Sequence, residues 1–338
     1  MALRFPEFHI PFALDTNPLA EHAEEHGRQF VRRFDLVPTA EAQKHFDESL
    51  LGVLVSRACP RADRRTLELA TNWMGCNLVL DDLFDETDIG EDPARLRLFC
   101  NQILSWLPAT GPRADHDDSP FAQAYTELWE RTCLLMSPAW RRRYAGHFGE
   151  FLDRCVWEAQ NRKNGSMPKV DEYLKMRSCA FMPYIDLLEL IGYWEIPPDI
   201  YETEEFAELN QALSDSVLWM NDLFSCEKEH QFGDVHNLVL VLRSARGIEL
   251  QEAADLVGEM VQRRINGFAT LSDEFLEQRV PEQPDPEVRS ALTLHIENMR
   301  SWLRGQLHWR YETKRNEHGK IPSSRRPEIS EKLRAQPR

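Results

Sequence analysis

Apolar residues recur at spacings of three and four through most of the chain. The run Leu67, Ala70, Trp73, Met74, Asn77, Leu78 and on to Phe84, with only Asn77 polar among those named, shows the period, which gathers side chains on one face of an α-helix. Strict alternation of apolar and polar residues, the mark of a half-buried strand, is scarce. Breakers cluster at Pro108–Pro120, Asn164–Pro168, Glu195–Pro198, Phe232–Val235 and Pro281–Pro286. Each cluster is short enough to join helices within one domain. The pattern predicts a single all-α domain over residues 1–316. Residues 317–338, basic and broken by Gly319, Pro322 and Pro327, read as a tail that is either disordered or lid-like.

Composition narrows the function classes. A 338-residue chain with 42% hydrophobic content can bury a sizeable core. Its net charge of −16 repels a phosphate backbone and an anionic lipid surface, which argues against nucleic acid and membrane as partners. The seven cysteines are scattered singly with no C-x-x-C pair. That spacing implies a reducing compartment and no zinc site. Residues 1–16 carry no charged segment followed by an apolar one, and no stretch approaches 18 apolar residues. The expectation is a cytoplasmic protein, with a homodimer left open. Neither G-x-G-x-x-G nor G-x-x-x-x-G-K-[ST] occurs, so a dinucleotide fold and a P-loop are excluded.

The candidate chemistry lies in two stripes. In Leu80-Asp81-Asp82-Leu83-Phe84-Asp85, Asp81 and Asp85 fall about 40° apart on a helix and project together. Clustered carboxylates repel one another, a cost that a hard divalent cation such as Mg²⁺ relieves. The bland reading is a solvated acidic helix end. In the second segment, Asn221, Ser225 and Glu229 stand at i, i+4 and i+8, aligning an amide oxygen, a hydroxyl and a carboxylate. By itself that run is equally readable as a polar helix face.

Taken together, D-D-L-F-D followed about 140 residues later by N-D-x-x-S-x-x-x-E resembles the motif pair of the bacterial class I terpene synthases. Phe8-His9-Ile10-Pro11, the segment Glu172–Arg177 and Gly233–Val239 extend the resemblance over nearly the whole chain. It implies a single-domain helical bundle with the active site in its core. It also implies three Mg²⁺ ions, with Mn²⁺ as a substitute, and ionisation and cyclisation of an allylic prenyl diphosphate. Asp81 and Asp85 would hold metal with support from Asp82, and Asn221, Ser225 and Glu229 would hold the third ion. Arg177 matches the diphosphate-sensing arginine and Lys228 a basic diphosphate contact. By family frequency a C15 substrate, farnesyl diphosphate, comes first and C20 geranylgeranyl diphosphate next.

The chain departs from the family pattern in three places. Phe181 stands where many members have glycine, at a position said to act through its carbonyl. The late Arg-Tyr pair is literal at Arg310-Tyr311, but the flanking pattern favours Arg315, followed by Asn316. Asn77 and Leu78 replace rings often found one turn before the first aspartate. Asn77 is expected to face the cavity mouth, because it shares Asp81's side of the helix. Trp73, Phe84, Phe181, Trp219, Trp302 and Trp309 are the remaining candidates for the cavity wall, each also readable as plain core.

Two rival functions remain at this level. A chain-elongating prenyltransferase would need a second D-D-x-x-D, where Asn221 and Asp222 stand instead. A non-catalytic helical binding protein would show decayed ligand positions, whereas every one here carries an oxygen donor.

Overall fold

The computed structural model describes residues 3–110 and 117–315. Among these residues there are helices and turns but no strand. The first helices are α1 (Ala20–Arg33), α2 (Ala40–Glu48), α3 (Leu51–Ala58), α4 (Arg64–Glu86) and α5 (Pro93–Ser105). Then come α6 (Pro120–Cys133), α7 (Pro138–Asn164), α8 (Val170–Ser178), α9 (Met182–Gly192) and the single turn α10 (Pro198–Tyr201). The last are α11 (Glu204–Gln231), α12 (Leu238–Arg246), α13 (Leu250–Glu274), the short α14 (Val280–Glu282) and α15 (Pro286–Glu312). The tail, residues 317–338, lies outside the described residues.

Four of the helices that build the site, α4, α7, α11 and α15, begin at side-chain caps. Asp63 Oδ1 accepts from the Thr66 amide at 2.9 Å to start α4, and Thr203 Oγ1 from the Phe206 amide at 3.2 Å to start α11. Ser137 and Asp285 cap α7 and α15, each followed by proline at the first helical position. Such caps satisfy amides that the helix itself leaves free, and proline there forfeits no bond. Four of the five breaker clusters fall between helices or at their ends. In the fifth, Pro281 lies inside α14 and Pro286 opens α15.

Packing brings the long helices around one core. α11 lies along α13, α3 is held between α1 and α15, and α5 lies on α7. The approach of α3 is close enough to require glycine on both sides. A Cβ on Gly52 would meet the α1 backbone at Glu24, and one on Gly305 would sit 2.6 Å from Arg57 Cβ.

An aromatic cluster fills the space between α4, α6 and α7. Trp73 packs edge-on to Tyr125 (5.8 Å between centroids) and Tyr144 (5.2 Å), and Tyr144 stacks on Trp140 (5.0 Å). Trp73 Nε1 donates to Thr132 Oγ1 at 3.0 Å, so its polar edge is satisfied inside the core. No described helix is long and apolar enough to cross a membrane.

Candidate active site

The acidic stripe of α4 and the mixed stripe of α11 open onto one cavity. Asp81, Asp82 and Asp85 line it from α4, and Asn221, Ser225, Lys228 and Glu229 from α11. Arg177 comes from the end of α8. Ala180 and Phe181 come from the 3₁₀ turn Cys179–Phe181 that breaks the chain between α8 and α9. Trp302, Gln306, Trp309 and Arg310 enter from α15, and Arg315 from just beyond it.

The cationic side chains are already engaged. Arg315 takes Asp82 in a fork, Nη2 to Oδ1 at 2.8 Å and Nη1 to Oδ2 at 3.2 Å. Arg310 donates to Asn221 Oδ1, and Arg177 Nη2 donates to Asp222 Oδ1 at 2.7 Å. Asp222 also accepts from Tyr173 Oη at 2.7 Å and from the Leu238 amide at 3.1 Å. It therefore faces the structure behind α11, not the cavity. On the opposite wall, Arg154 of α7 reaches Asp81 at 3.4 Å and Glu158 at 2.9 Å, while Arg162 reaches Asp85 at 3.4 Å.

Burial sets the protonation chemistry. It raises Asp81 and lifts Asp85 well above the ordinary carboxylate range, and in each case the other acidic groups of the site add to the rise. Glu229 is pushed up to about 7 by burial, then by Asp222 and Asp234, although Asn237 Nδ2 donates to it at 2.7 Å. Burial lowers Arg310 to about 9, helped by the charges of Arg315 and Arg177. Burial is also the largest single influence on Arg177 and works against its charge, but Asp222, Tyr173 and Glu158 together hold the guanidinium above its usual value.

The donor set fits a hard divalent cation. Every donor in the two stripes is oxygen, and three of the carboxylates sit where ionisation is costly without a neighbouring positive charge. Asp81 and Asp85 could hold metal on one side, and Asn221, Ser225 and Glu229 on the other.

Four expected wall residues lie elsewhere, for a geometric reason. Along α4 the cavity side runs through Met74, Leu78, Asp81, Asp82 and Asp85. At 100° per residue these span an arc of about 100°, with Asp81 at its edge and not at its centre. Trp73, Asn77 and Phe84 fall beyond that edge. Asn77 is buried and its Oδ1 accepts from Tyr125 Oη of α6 at 2.9 Å, so it does not face the cavity mouth. Phe84 packs edge-on to Phe99 of α5 at 6.1 Å, and Trp73 belongs to the aromatic cluster. Trp219 lies about 120° around α11 from Ser225, the middle of its stripe, and packs against the core outside the cavity.

Leu78, Phe181, Trp302 and Trp309 do line it, with Phe181 edge-on to Trp302 at 5.1 Å. Sequence reasoning missed Phe151, Arg154, Tyr184 and Phe232. A readable signal existed for one of them: Arg154, Glu158 and Arg162 recur every four residues, a charged stripe complementary to Asp81 and Asp85.

An all-helical bundle whose oxygen-donor stripes face one apolar-walled cavity is the class I terpenoid synthase architecture. The chain belongs to the terpene synthase family: the family model described as terpene synthase family 2, C-terminal metal binding, matches residues 72–266. It is 30% identical over 315 residues to (2Z,6E)-hedycaryol synthase of Kitasatospora setae, covering 92% of this chain and 91% of that one. It is also 30% identical over 305 residues to a (+)-T-muurolol synthase of Roseiflexus castenholzii described as cyclising (2E,6E)-farnesyl diphosphate, covering 88% and 90%.

Among solved structures, a hedycaryol synthase in complex with nerolidol superposes with a TM-score of 0.76 at 27% identity, covering 90% of this chain and 99% of that one. The protein is a terpene synthase, a cyclising lyase. Chain elongation and a non-catalytic role do not fit this family match.

Proposed function

We propose that the protein converts farnesyl diphosphate to a cyclic C15 terpene, with geranylgeranyl diphosphate the next candidate, using three Mg²⁺ ions for which Mn²⁺ substitutes. The observation that carries this reading is the meeting of two oxygen-donor stripes and four arginines, Arg154, Arg177, Arg310 and Arg315, in one cavity with aromatic walls. Asp81 and Asp85 would hold metal from α4, with Asp82 positioned by Arg315. Asn221, Ser225 and Glu229 would hold it from α11. The bound cations supply positive charge where the diphosphate leaves.

The chain's own residues do the rest. Arg177, Lys228, Arg310 and Arg315 donate to phosphate oxygens and stabilise the charge that grows on them as the C–O bond breaks. For this, Arg310 and Arg315 exchange Asn221 and Asp82 for the substrate. The faces of Phe151, Phe181, Tyr184, Trp302 and Trp309 attract the allylic cation and keep water from it. The Phe181 carbonyl lies on the 3₁₀ break, where regular helical bonding does not continue, and this supports a backbone role toward the reacting carbon. A cytoplasmic setting is part of the same reading.

The relatives' names favour C15: one is described as cyclising farnesyl diphosphate and another holds nerolidol. Incubation with C10, C15 and C20 diphosphates and Mg²⁺, followed by gas chromatography with mass spectrometry, tests it. A cyclic C15 product formed with the highest kcat/KM is expected. Linear elongated diphosphates, or no product from any of the three, would overturn the proposal.

A further inference from the structure

Away from the cavity, three side chains with metal-binding atoms converge between α1 and α4. His22 and His26 stand at i and i+4 on α1, with ring centroids 5.9 Å apart. Glu68 of α4 meets both: its Oε1 is 2.7 Å from His22 Nε2 and 4.0 Å from His26 Nδ1. The three donor atoms all lie within 4.8 Å of one another. Glu68 is thirteen residues before Asp81, or roughly 20 Å along the helix at 1.5 Å per residue. The cluster is therefore separate from the active site.

We propose that His22, His26 and Glu68 form a zinc-class metal site that ties α1 to α4. Two imidazoles and one carboxylate, with a fourth position open to water, suit Zn²⁺ better than Mg²⁺, which prefers an all-oxygen shell. Ligands at about 2.1 Å in a tetrahedron stand roughly 3.4 Å apart. The His22–Glu68 distance lies below that value and the His26–Glu68 distance above it, so small rotations bring all three into range. The cysteine spacing pointed away from zinc, but this set uses no cysteine.

A fourth residue completes the arrangement. The buried Asn72 has its Nδ2 3.2 Å from His26 Nε2 and its Oδ1 without a partner. When His26 ligates through Nδ1, its Nε2 carries the proton. An amide turned to present Oδ1 then accepts from it, satisfying the orphaned oxygen and fixing the tautomer.

Arg64 Nε now donates to Glu68 Oε1 at 2.9 Å, but its side chain is largely exposed and leaves at little cost. Arg33 and Arg131 lie near His26 and oppose added positive charge. Affinity is thus expected in a range that chelators strip readily.

The test uses full-length protein, freed of metal with EDTA and then saturated with Mg²⁺ and inorganic diphosphate at the stripes. It is titrated with zinc chloride against a chromophoric chelator. One zinc per chain is expected, bound at least tenfold more weakly by His22→Gln and by His26→Gln, with cyclase activity of both variants unchanged. Crystals soaked with zinc should show an anomalous peak between α1 and α4. Zinc uptake unchanged in both variants, or no uptake by the wild type, would overturn the site.

Discussion

Arg315 holds Asp82 through both arms of its guanidinium, at 2.8 and 3.2 Å. The contact joins the chain just past α15 to the first acidic stripe, while Arg310 reaches Asn221 on the second. Each stripe therefore has its own arginine, and both would have to turn toward a diphosphate when it arrives.

Arg315→Lys should expose the value of that fork. A lysine supplies charge but cannot make two parallel bonds to a carboxylate or phosphate. Steady-state rates with the preferred prenyl diphosphate should fall roughly tenfold or more, about 1.4 kcal/mol of barrier, with the thermal melt little changed. A variant rate equal to wild type would place Arg315 outside the diphosphate contacts.

Glu229 gives a pH signature. Its folded value, pushed up to about 7 by burial and then by Asp222 and Asp234, exceeds the ordinary value of 4.5. The folded protein thus binds this proton more tightly than the unfolded chain does. The resulting stability is fully present below pH 4.5 and is lost as pH rises through about 7. Asp81 and Asp85, raised by burial, act in the same direction.

Metal-free protein should therefore resist urea better at pH 6 than at pH 8. Glu229→Gln should reduce the difference. Binding of Mg²⁺ with diphosphate at pH 6.5 should release a proton from Glu229, read by calorimetry in two buffers of different ionisation enthalpy. Equal heats in the two buffers would contradict it.

Adjacent positions on α4 should behave differently. Asn77→Leu removes the acceptor of the buried Tyr125 hydroxyl, a loss of about 1–3 kcal/mol. That lowers Tm by roughly 2 °C or more and leaves the product pattern alone. Leu78→Phe adds a ring to the cavity wall and should change the product distribution while diphosphate release continues. Gas chromatography of both variants checks this; a new product pattern from Asn77→Leu alone would reverse the assignment of faces.

The contrast also marks how far the sequence could be read. Local spacing is enough to align Asp81 with Asp85, or Asn221 with Ser225 and Glu229, because helical period alone sets it. The breakers similarly located the junctions α5–α6, α7–α8, α9–α10 and α11–α12. Local spacing does not say where on a helix the neighbouring helices leave a gap. Asn77 and Leu78 differ by one residue, and only the positions of α6 and α7 decide that the first meets Tyr125 and the second meets the cavity.

Two further features escaped for related reasons. The pairing of Arg154 with Asp81 depends on α7 lying against α4, although the charged stripe itself was visible. The junction of α2 and α3 has no glycine or proline to announce it. Leu50 takes a left-handed conformation there, with φ of 53°, at a cost the surrounding packing must offset.

The central claim is that the α4 and α11 stripes work by holding divalent cations against a diphosphate. Protein stripped with EDTA and verified metal-free by mass spectrometry should form no cyclic product from farnesyl diphosphate. Activity should return on adding Mg²⁺, saturably, with Asp81→Asn and Asn221→Leu lowering it by orders of magnitude while the fold stays intact. Undiminished turnover in the metal-free protein would contradict the claim outright.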